Sequence, residues 1–225
     1  MCNKIIIHVL ALFPESIKPY LDASILKKAQ ESGLFEYHIH NLADWSVKNT
    51  RRVDDRPYGG GAGTILTIEP LFNALTEIKN IHPNLEKIFY MGPAGTQANQ
   101  KFFEKEANFE GEKEILIICG HYEGIDARIF DFFDITEVSI GNYVLSSGEI
   151  ASLVFIDALV RLVPGVLSQE SLQEETFSEK LFGKGEYPQF SRPEIFKEKS
   201  VPKVLVSGNH KNITSWKQKN LREIK

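Results

Sequence analysis

Ile115-Leu116-Ile117-Ile118-Cys119-Gly120-His121-Tyr122-Glu123-Gly124 sets a short apolar, β-branched run directly against a loop bounded by glycines. Runs of this length and composition read as buried strands, and a glycine straight after one lets backbone groups approach a ligand closely. The arrangement recurs on either side. Lys87 to Met91 runs into MGPAGT, Ile135 to Ile140 runs into SIGNYVLSSGE, and Ile5 to Leu12 adds a further run near the N-terminus. Helical periodicity fills the gaps. After Pro14, Ile17, Leu21, Ile25 and Ala29 share a face, and after Ser147 so do Ile150, Leu153, Val154, Ala158 and Leu162. Strands alternating with helices predict an α/β domain on a mostly parallel sheet. In such sheets ligands collect beyond the carboxyl ends of the strands, so three glycine-bearing loops predict one shared pocket.

The 225 residues, 42% hydrophobic and 25% charged, suffice for one substantial core and a smaller appended unit. The helix after Ser147 is predicted to end near Pro164 and Gly165. Ser168 to Glu186, rich in Ser, Gln, Glu and Gly, reads as an exposed linker, which places the predicted divisions at 1–167, 168–186 and 187–225. A net charge of -4 argues against indiscriminate binding to nucleic acid. The distribution is uneven, however. From Arg192 to Lys225 nine Lys or Arg stand against three Glu, and Lys48, Arg51, Arg52 and Arg56 form a second basic cluster. The two cysteines, Cys2 and Cys119, have neither disulfide nor zinc spacing, which fits a reducing, cytoplasmic location. The N-terminal apolar stretch is too short to span a bilayer and lacks a signal-peptide cleavage site, so no membrane role is expected.

Asp54-Asp55-Arg56-Pro57-Tyr58-Gly59-Gly60-Gly61-Ala62-Gly63 is the most unusual local sequence. It has no Gly-Lys-Ser/Thr end for a phosphate-binding P-loop, and Thr64 stands where the dinucleotide fingerprint needs its third glycine. A P-loop NTPase and a Rossmann dehydrogenase are therefore set aside. What remains is a mobile polar loop able to order around a substrate.

DDRPYGGGAG, CGHYEGID, SIGNYVLSSGEIA, DALVRLVPGVL, YPQFSRP and VPKVLVSGNHKNITSW occur in this order. Together they resemble the bacterial tRNA (guanine-N1)-methyltransferase family, over a span from near the N-terminus to about Trp216. The resemblance implies a SPOUT α/β domain with a C-terminal trefoil knot whose loops hold S-adenosylmethionine, and a small helical C-terminal domain that contacts tRNA. It also implies a homodimer with active sites at the subunit interface, and methylation of the guanine immediately 3′ of the anticodon. Carried over by position, it implies cofactor contacts at Tyr90, Met91, Gly92, Pro93, Gly120, Tyr122, Glu123, Ile140, Gly141, Asn142, Tyr143, Val144, Leu145 and Gly148. Asp55 and Arg56 are implied near the target base. Arg192, Ser207, Asn209 and His210 are implied near the anticodon stem. A Mg2+ requirement is implied as well, with Glu123 a possible participant, although the sequence shows no dedicated metal-ligand cluster.

Guanine N1 carries a proton, so its methylation at neutral pH calls for a base and for a cation to steady charge growing on O6. The resemblance places the cation at Arg161, inside an apolar helix end where an arginine is costly unless paired or functional. It places the base in the linker, where most members have Asp-Ser-Phe and this chain has Glu175-Thr176-Phe177. Glu175 is the expected base, and Glu174 is the alternative counterpart. His121 replaces the arginine usual in CGRYEG, Ser147 replaces a glycine, and the chain ends soon after Leu221, earlier than many members. Two other readings compete: a SPOUT methyltransferase of another RNA base, and a catalytically silent RNA-binding module.

Overall fold

The computed structural model describes residues 3–224, so Cys2 lies outside the described residues. Two compact units are distinguished, Met1–Val166 and Leu167–Lys225. In the first, a five-stranded sheet is built from β1 (Lys4–Ala11), β2 (Phe35–Asn41), β5 (Leu85–Gln97), β6 (Glu112–Cys119) and β7 (Ile135–Ser139) in the order β2-β1-β6-β5-β7. A small antiparallel pair, β3 (Asp54–Asp55) with β4 (Ile65–Leu66), lies outside that sheet. Every pairing in the main sheet is parallel, as the strand and helix alternation predicted. The central strands β1 and β6 are buried along nearly their whole length, which is why their sequences are continuous apolar runs rather than alternating ones.

The two faces of the sheet carry separate cores. Helices α1 (Lys18–Leu21), α2 (Ser24–Glu31), α4 (Gln100–Ala107) and α6 (Gly148–Val160) belong to one, with Ile7, Val9, Ile117, Phe89 and Phe155 at its centre. Helix α3 (Ile68–Ile81) and the turn α5 (Ile129–Phe132) cover the other, over Leu10, Leu116 and Ile118.

Both helices expected from periodicity form, with corrections. The segment after Pro14 is not continuous: it breaks between α1 and α2 at Ser24, whose φ is +50°. The break turns the second piece, so that Leu26 is 2% exposed and Ile25 is 38% exposed. In α6 the buried face is Ala151, Ser152, Phe155, Ile156, Leu159 and Val160, whereas Ile150 and Val154 are 61% and 46% exposed. That helix is apolar nearly all round, so periodicity could not select the face that meets the sheet. Strand β2 and helices α3 and α4 were not read from the sequence. β2, with sequence FEYHIHN, lies at the sheet edge and is mostly half-buried, so it lacks an apolar run.

The second unit contains α7 (Gln169–Gln173), a hairpin of β8 (Ile195–Phe196) and β9 (Lys199–Ser200), and helices α8 (Lys203–Val206) and α9 (His210–Lys219). Its interior is small: Leu181 and Tyr187 are buried, and the Trp216 ring lies 6.5 Å from Tyr187 and 6.2 Å from Phe190.

Candidate functional site

Strands β5, β6 and β7 end side by side and level. Met91 pairs with Cys119 on one side and with Val138 on the other. Past Met91 the chain bulges through Gly92-Pro93-Ala94-Gly95 before Thr96 resumes pairing with Val138. The three glycine-bearing loops therefore meet at the carboxyl edge of the sheet, around a cavity of about 220 Å³.

The approach of these segments depends on glycine. At Gly148 a Cβ would lie 2.4 Å from Gly120 N, and at Gly120 it would lie 2.7 Å from Met91 O. Gly148 N–H donates to Gly120 O at 2.6 Å, tying the start of α6 to the end of β6. Between Gly141 and Gly148 the only other backbone bond among the described residues runs from Tyr143 N–H to Gly141 O at 2.9 Å. Amides and carbonyls from Val144 to Ser147 are left for water or a ligand. Ile140 and Leu145 supply apolar wall beside them, a combination suited to a flat heteroaromatic ring whose edge is read by main chain.

Of the residues expected to hold the cofactor, all but Asn142 line this cavity. It is also lined by His121, Gly124, Val138, Ser139, Ser146, Ser147 and Ala151, which lie in the same loops or one helical turn beyond and so were within reach of the sequence. His121 accepts from Tyr122 N–H at 2.9 Å through Nδ1, and its ring lies 5.4 Å from Phe13. Ser147 has φ -162° and ψ 166°, extended backbone open to any residue, so replacing a glycine there carries no strain. Burial pushes the Tyr90 hydroxyl up to about 12, with Glu137 adding to the effect, so it stays protonated near neutral pH. Burial, then the nearby Glu149 carboxylate, raises the Cys119 thiol far above its ordinary range, which removes it as a nucleophile. Glu149 itself was missed. It is 3% exposed, its Oε1 accepts from Leu12 and Phe13 N–H at 3.3 and 3.4 Å, and its Oε2 is buried without a partner among the described residues.

The glycine-rich loop abuts the cavity from one side. A Cβ on Gly63 would lie 2.7 Å from the Glu123 side chain, and Glu123 N–H donates to Thr64 O at 2.9 Å. Asp55 and Arg56 are exposed. Asp55 pairs with Lys48 at 2.9 Å, and that hydrogen bond holds its carboxyl below the usual range. Arg161 caps α6 in right-handed helical geometry and is half-buried.

In the second unit, Glu174 and Glu175 are placed differently. Glu174 is bound by Lys180 at 2.7 Å and lies 3.9 Å from Lys217; the Lys180 hydrogen bond chiefly lowers its pKa, which makes it a weak base. Glu175 is half-buried. Arg192, Ser207, Asn209 and His210 are exposed, but Asn209 accepts from Asn212 N–H at 3.1 Å as the N-cap of α9, and Ser207 donates to Val204 O at 2.8 Å. Those two side chains therefore have local structural work.

Residues 5–224 match the family model described as tRNA (Guanine-1)-methyltransferase TrmD. The tRNA (guanine-N(1)-)-methyltransferase of Clostridioides difficile (strain 630) is 44% identical over 213 residues, covering 94% of this chain and 90% of that protein. Its counterpart in Caldicellulosiruptor saccharolyticus is 45% identical, covering 95% and 84% respectively. The one from Treponema denticola is 44% identical, covering 94% and 83%.

Proposed function

The chain belongs to the tRNA (guanine-1)-methyltransferase family, and from that premise we propose that the glycine-walled cavity holds S-adenosylmethionine while its methyl group is passed to N1 of a tRNA guanine. The enzyme is a tRNA (guanine-N1)-methyltransferase. The observation that carries the assignment of the cavity is the convergence of three glycine-bearing loops at one sheet edge, with main-chain groups from Val144 to Ser147 making no backbone hydrogen bond among the described residues.

Held by the loops that line the cavity, S-adenosylmethionine would supply an electrophilic methyl on a sulfonium, with the thioether as leaving group. The protein has to remove the N1 proton and stabilise O6. We assign the proton to the Glu175 carboxylate and the stabilisation of O6 to the Arg161 guanidinium. Glu174, whose carboxyl Lys180 holds below its ordinary range, is the alternative base. Asp55 and Arg56, on the loop beside Glu123, are assigned to the neighbourhood of the target base, with the guanine 3′ of the anticodon as the target. Arg192, Ser207, Asn209 and His210 are assigned to the anticodon stem, in a C-terminal domain whose basic excess suits phosphate.

The domain scheme of 1–167, 168–186 and 187–225, the trefoil knot and the homodimer belong to the same proposal. The exposed apolar residues Ile150 and Val154 on α6 support a subunit contact there. For Mg2+, Glu123 is the carboxylate lining the cavity; it offers one oxygen site where that ion needs an octahedral set completed by water or substrate. No step is assigned to the ion. Among the described residues no helix is long and apolar enough to cross a membrane, and a cytoplasmic location remains part of the proposal.

The test is transfer of labelled methyl from S-adenosylmethionine to a tRNA transcript carrying guanine 3′ of the anticodon, beside the same transcript with adenine there. Label recovered as 1-methylguanine from the first alone is the expected result. Label on both transcripts points to another base as target, and cofactor binding without label on either points to an RNA-binding module.

A further inference from the structure

On the α3 face of the sheet, well away from the cofactor cavity, four imidazoles gather around one buried carboxylate. His8, in the middle of β1, is fully buried, and Glu114, at the start of β6, is 6% exposed. His8 Nε2 and His82 Nδ1 each lie 2.8 Å from the same oxygen, Glu114 Oε1. One donor atom from each of the three residues lies within 4.8 Å of the other two. Gly120 stands six positions along the chain from Glu114, just past the end of β6, about 20 Å of strand at about 3.3 Å per residue.

We propose that His8, His82 and Glu114 form a binding site for a divalent transition ion, zinc above all, distinct from the methyl-transfer site. Two imidazole nitrogens and one carboxylate oxygen, with a position left for water, are the donor types zinc takes. At metal–ligand bonds of about 2.0–2.1 Å, tetrahedral neighbours stand about 3.3 Å apart, so each nitrogen has to retreat from Oε1 by roughly half an ångström. His82 is the C-cap residue directly after α3, and its side chain is 27% exposed, which gives an ion a way in and water a coordination position.

The surroundings are those of a ligand set. His8 Nδ1 lies 2.9 Å from His40 Nε2, so the nitrogen of His8 that faces away from Glu114 meets a second imidazole, in the place that a carboxylate, carbonyl or water takes at most metal-bound histidines. His38 stacks on His8 at 4.9 Å and is itself held by Glu36 at 3.0 Å. Without metal, His8 donates through Nε2 to the carboxylate. With metal, Nε2 turns its lone pair to the ion and the proton resides on Nδ1, directed at His40. Neutral imidazoles exchange tautomers with no net proton release.

The test uses untagged full-length protein stripped with chelator. Titration with Zn2+ followed by calorimetry, and with Co2+ followed by its visible absorption, should give one equivalent bound with tetrahedral-type Co2+ bands. His82→Ala should weaken Zn2+ binding by more than the roughly 10- to 100-fold that an outer-sphere partner contributes. Glu114→Gln, which keeps a hydrogen-bonding oxygen, should do the same with the melting temperature checked in parallel. S-adenosylmethionine affinity should be unchanged in both. Absence of stoichiometric binding to the parent protein, or equal binding by the parent and both variants, would overturn the assignment while leaving the methyl-transfer reading intact.

Discussion

Gly148→Ala tests the geometry on which the cofactor cavity depends. A Cβ at this position would stand 2.4 Å from Gly120 N, 2.8 Å from Cys119 Cα and 2.9 Å from Cys119 C. All three are backbone atoms, so no side chain can swing aside, and the first turn of α6 has to move by about 1 Å to restore ordinary contact. Two effects of opposite sign compete. Alanine is favoured over glycine in a helix by at most about 1 kcal/mol, and by less at the first helical position. Overpacking of this kind costs about 1–3 kcal/mol, and the 2.6 Å bond from Gly148 N–H to Gly120 O is strained by the same movement. The clash wins. A net loss of about 1–2 kcal/mol lowers the melting temperature by roughly 2–8 °C in a chain of this size. Gly120, Gly148, Ala151 and Leu145 to Ser147 all line the cavity, so the displacement reaches its wall directly. S-adenosylmethionine affinity is expected to fall by at least about tenfold, or 1.4 kcal/mol. Calorimetric titration and differential scanning calorimetry measure both quantities. Parental affinity with an unchanged or raised melting temperature would show that the segments part at no cost, and the reasoning would fail.

Glu175→Gln is expected to abolish methyl transfer in single-turnover assays while leaving cofactor affinity nearly intact; parental turnover removes it as the base. Lys113→Met addresses a buried ion pair in the first unit. Lys113 and Glu106 are each 5% exposed and 2.9 Å apart, with Lys87 also on Glu106 at 2.8 Å. Burial alone would raise the Glu106 pKa, but the two lysine hydrogen bonds outweigh it and hold the carboxyl below its ordinary value of 4.5. Stabilisation from this carboxylate is therefore complete above that value and is lost as pH falls through the lower folded one. Urea unfolding at pH 7 should show Lys113→Met destabilised by about 3 kcal/mol, with the deficit shrinking toward pH 4; a deficit independent of pH would exclude the charge as its cause. For the proposed homodimer, sedimentation should give a dimer for the parent and a monomer for Ile150→Glu combined with Val154→Glu, with the far-ultraviolet spectrum unchanged; a parent monomer, or a dimer that persists in the variant, would refute a subunit contact there.

The parallel sheet and the meeting of three loops were legible because their causes are local. Strands buried on both faces must be apolar throughout, and β1 and β6 are. Closely approaching backbones exclude a Cβ, and Gly120 and Gly148 mark such approaches in the sequence itself. The buried side of α6 was not legible, because Ile150 and Val154 are as apolar as Phe155 and Ile156 and only packing against the sheet distinguishes them. Nor was the break at Ser24 visible, since nothing in Asp22-Ala23-Ser24 demands a positive φ. Nor did the sequence show that Glu174 is held by Lys180, since that pairing depends on where the chain brings the lysine back.

The sequence by itself determined the class of fold and the loops that wall the cavity, because each is written in contiguous runs where composition sets burial or close approach, and its six ordered strings carried the resemblance to the family. The tertiary structure decided what depends on distant partners. Glu149 is an unremarkable glutamate in sequence, yet its carboxylate is buried beneath Leu12 and Phe13. His8, His82 and Glu114 lie on β1, at the end of α3 and on β6, and no spacing rule links them. They converge because parallel pairing aligns β1 with β6 and α3 delivers its C-cap residue to Glu114. Long-range convergence of this kind is set by strand register and helix length together, and neither can be read from the residues that meet.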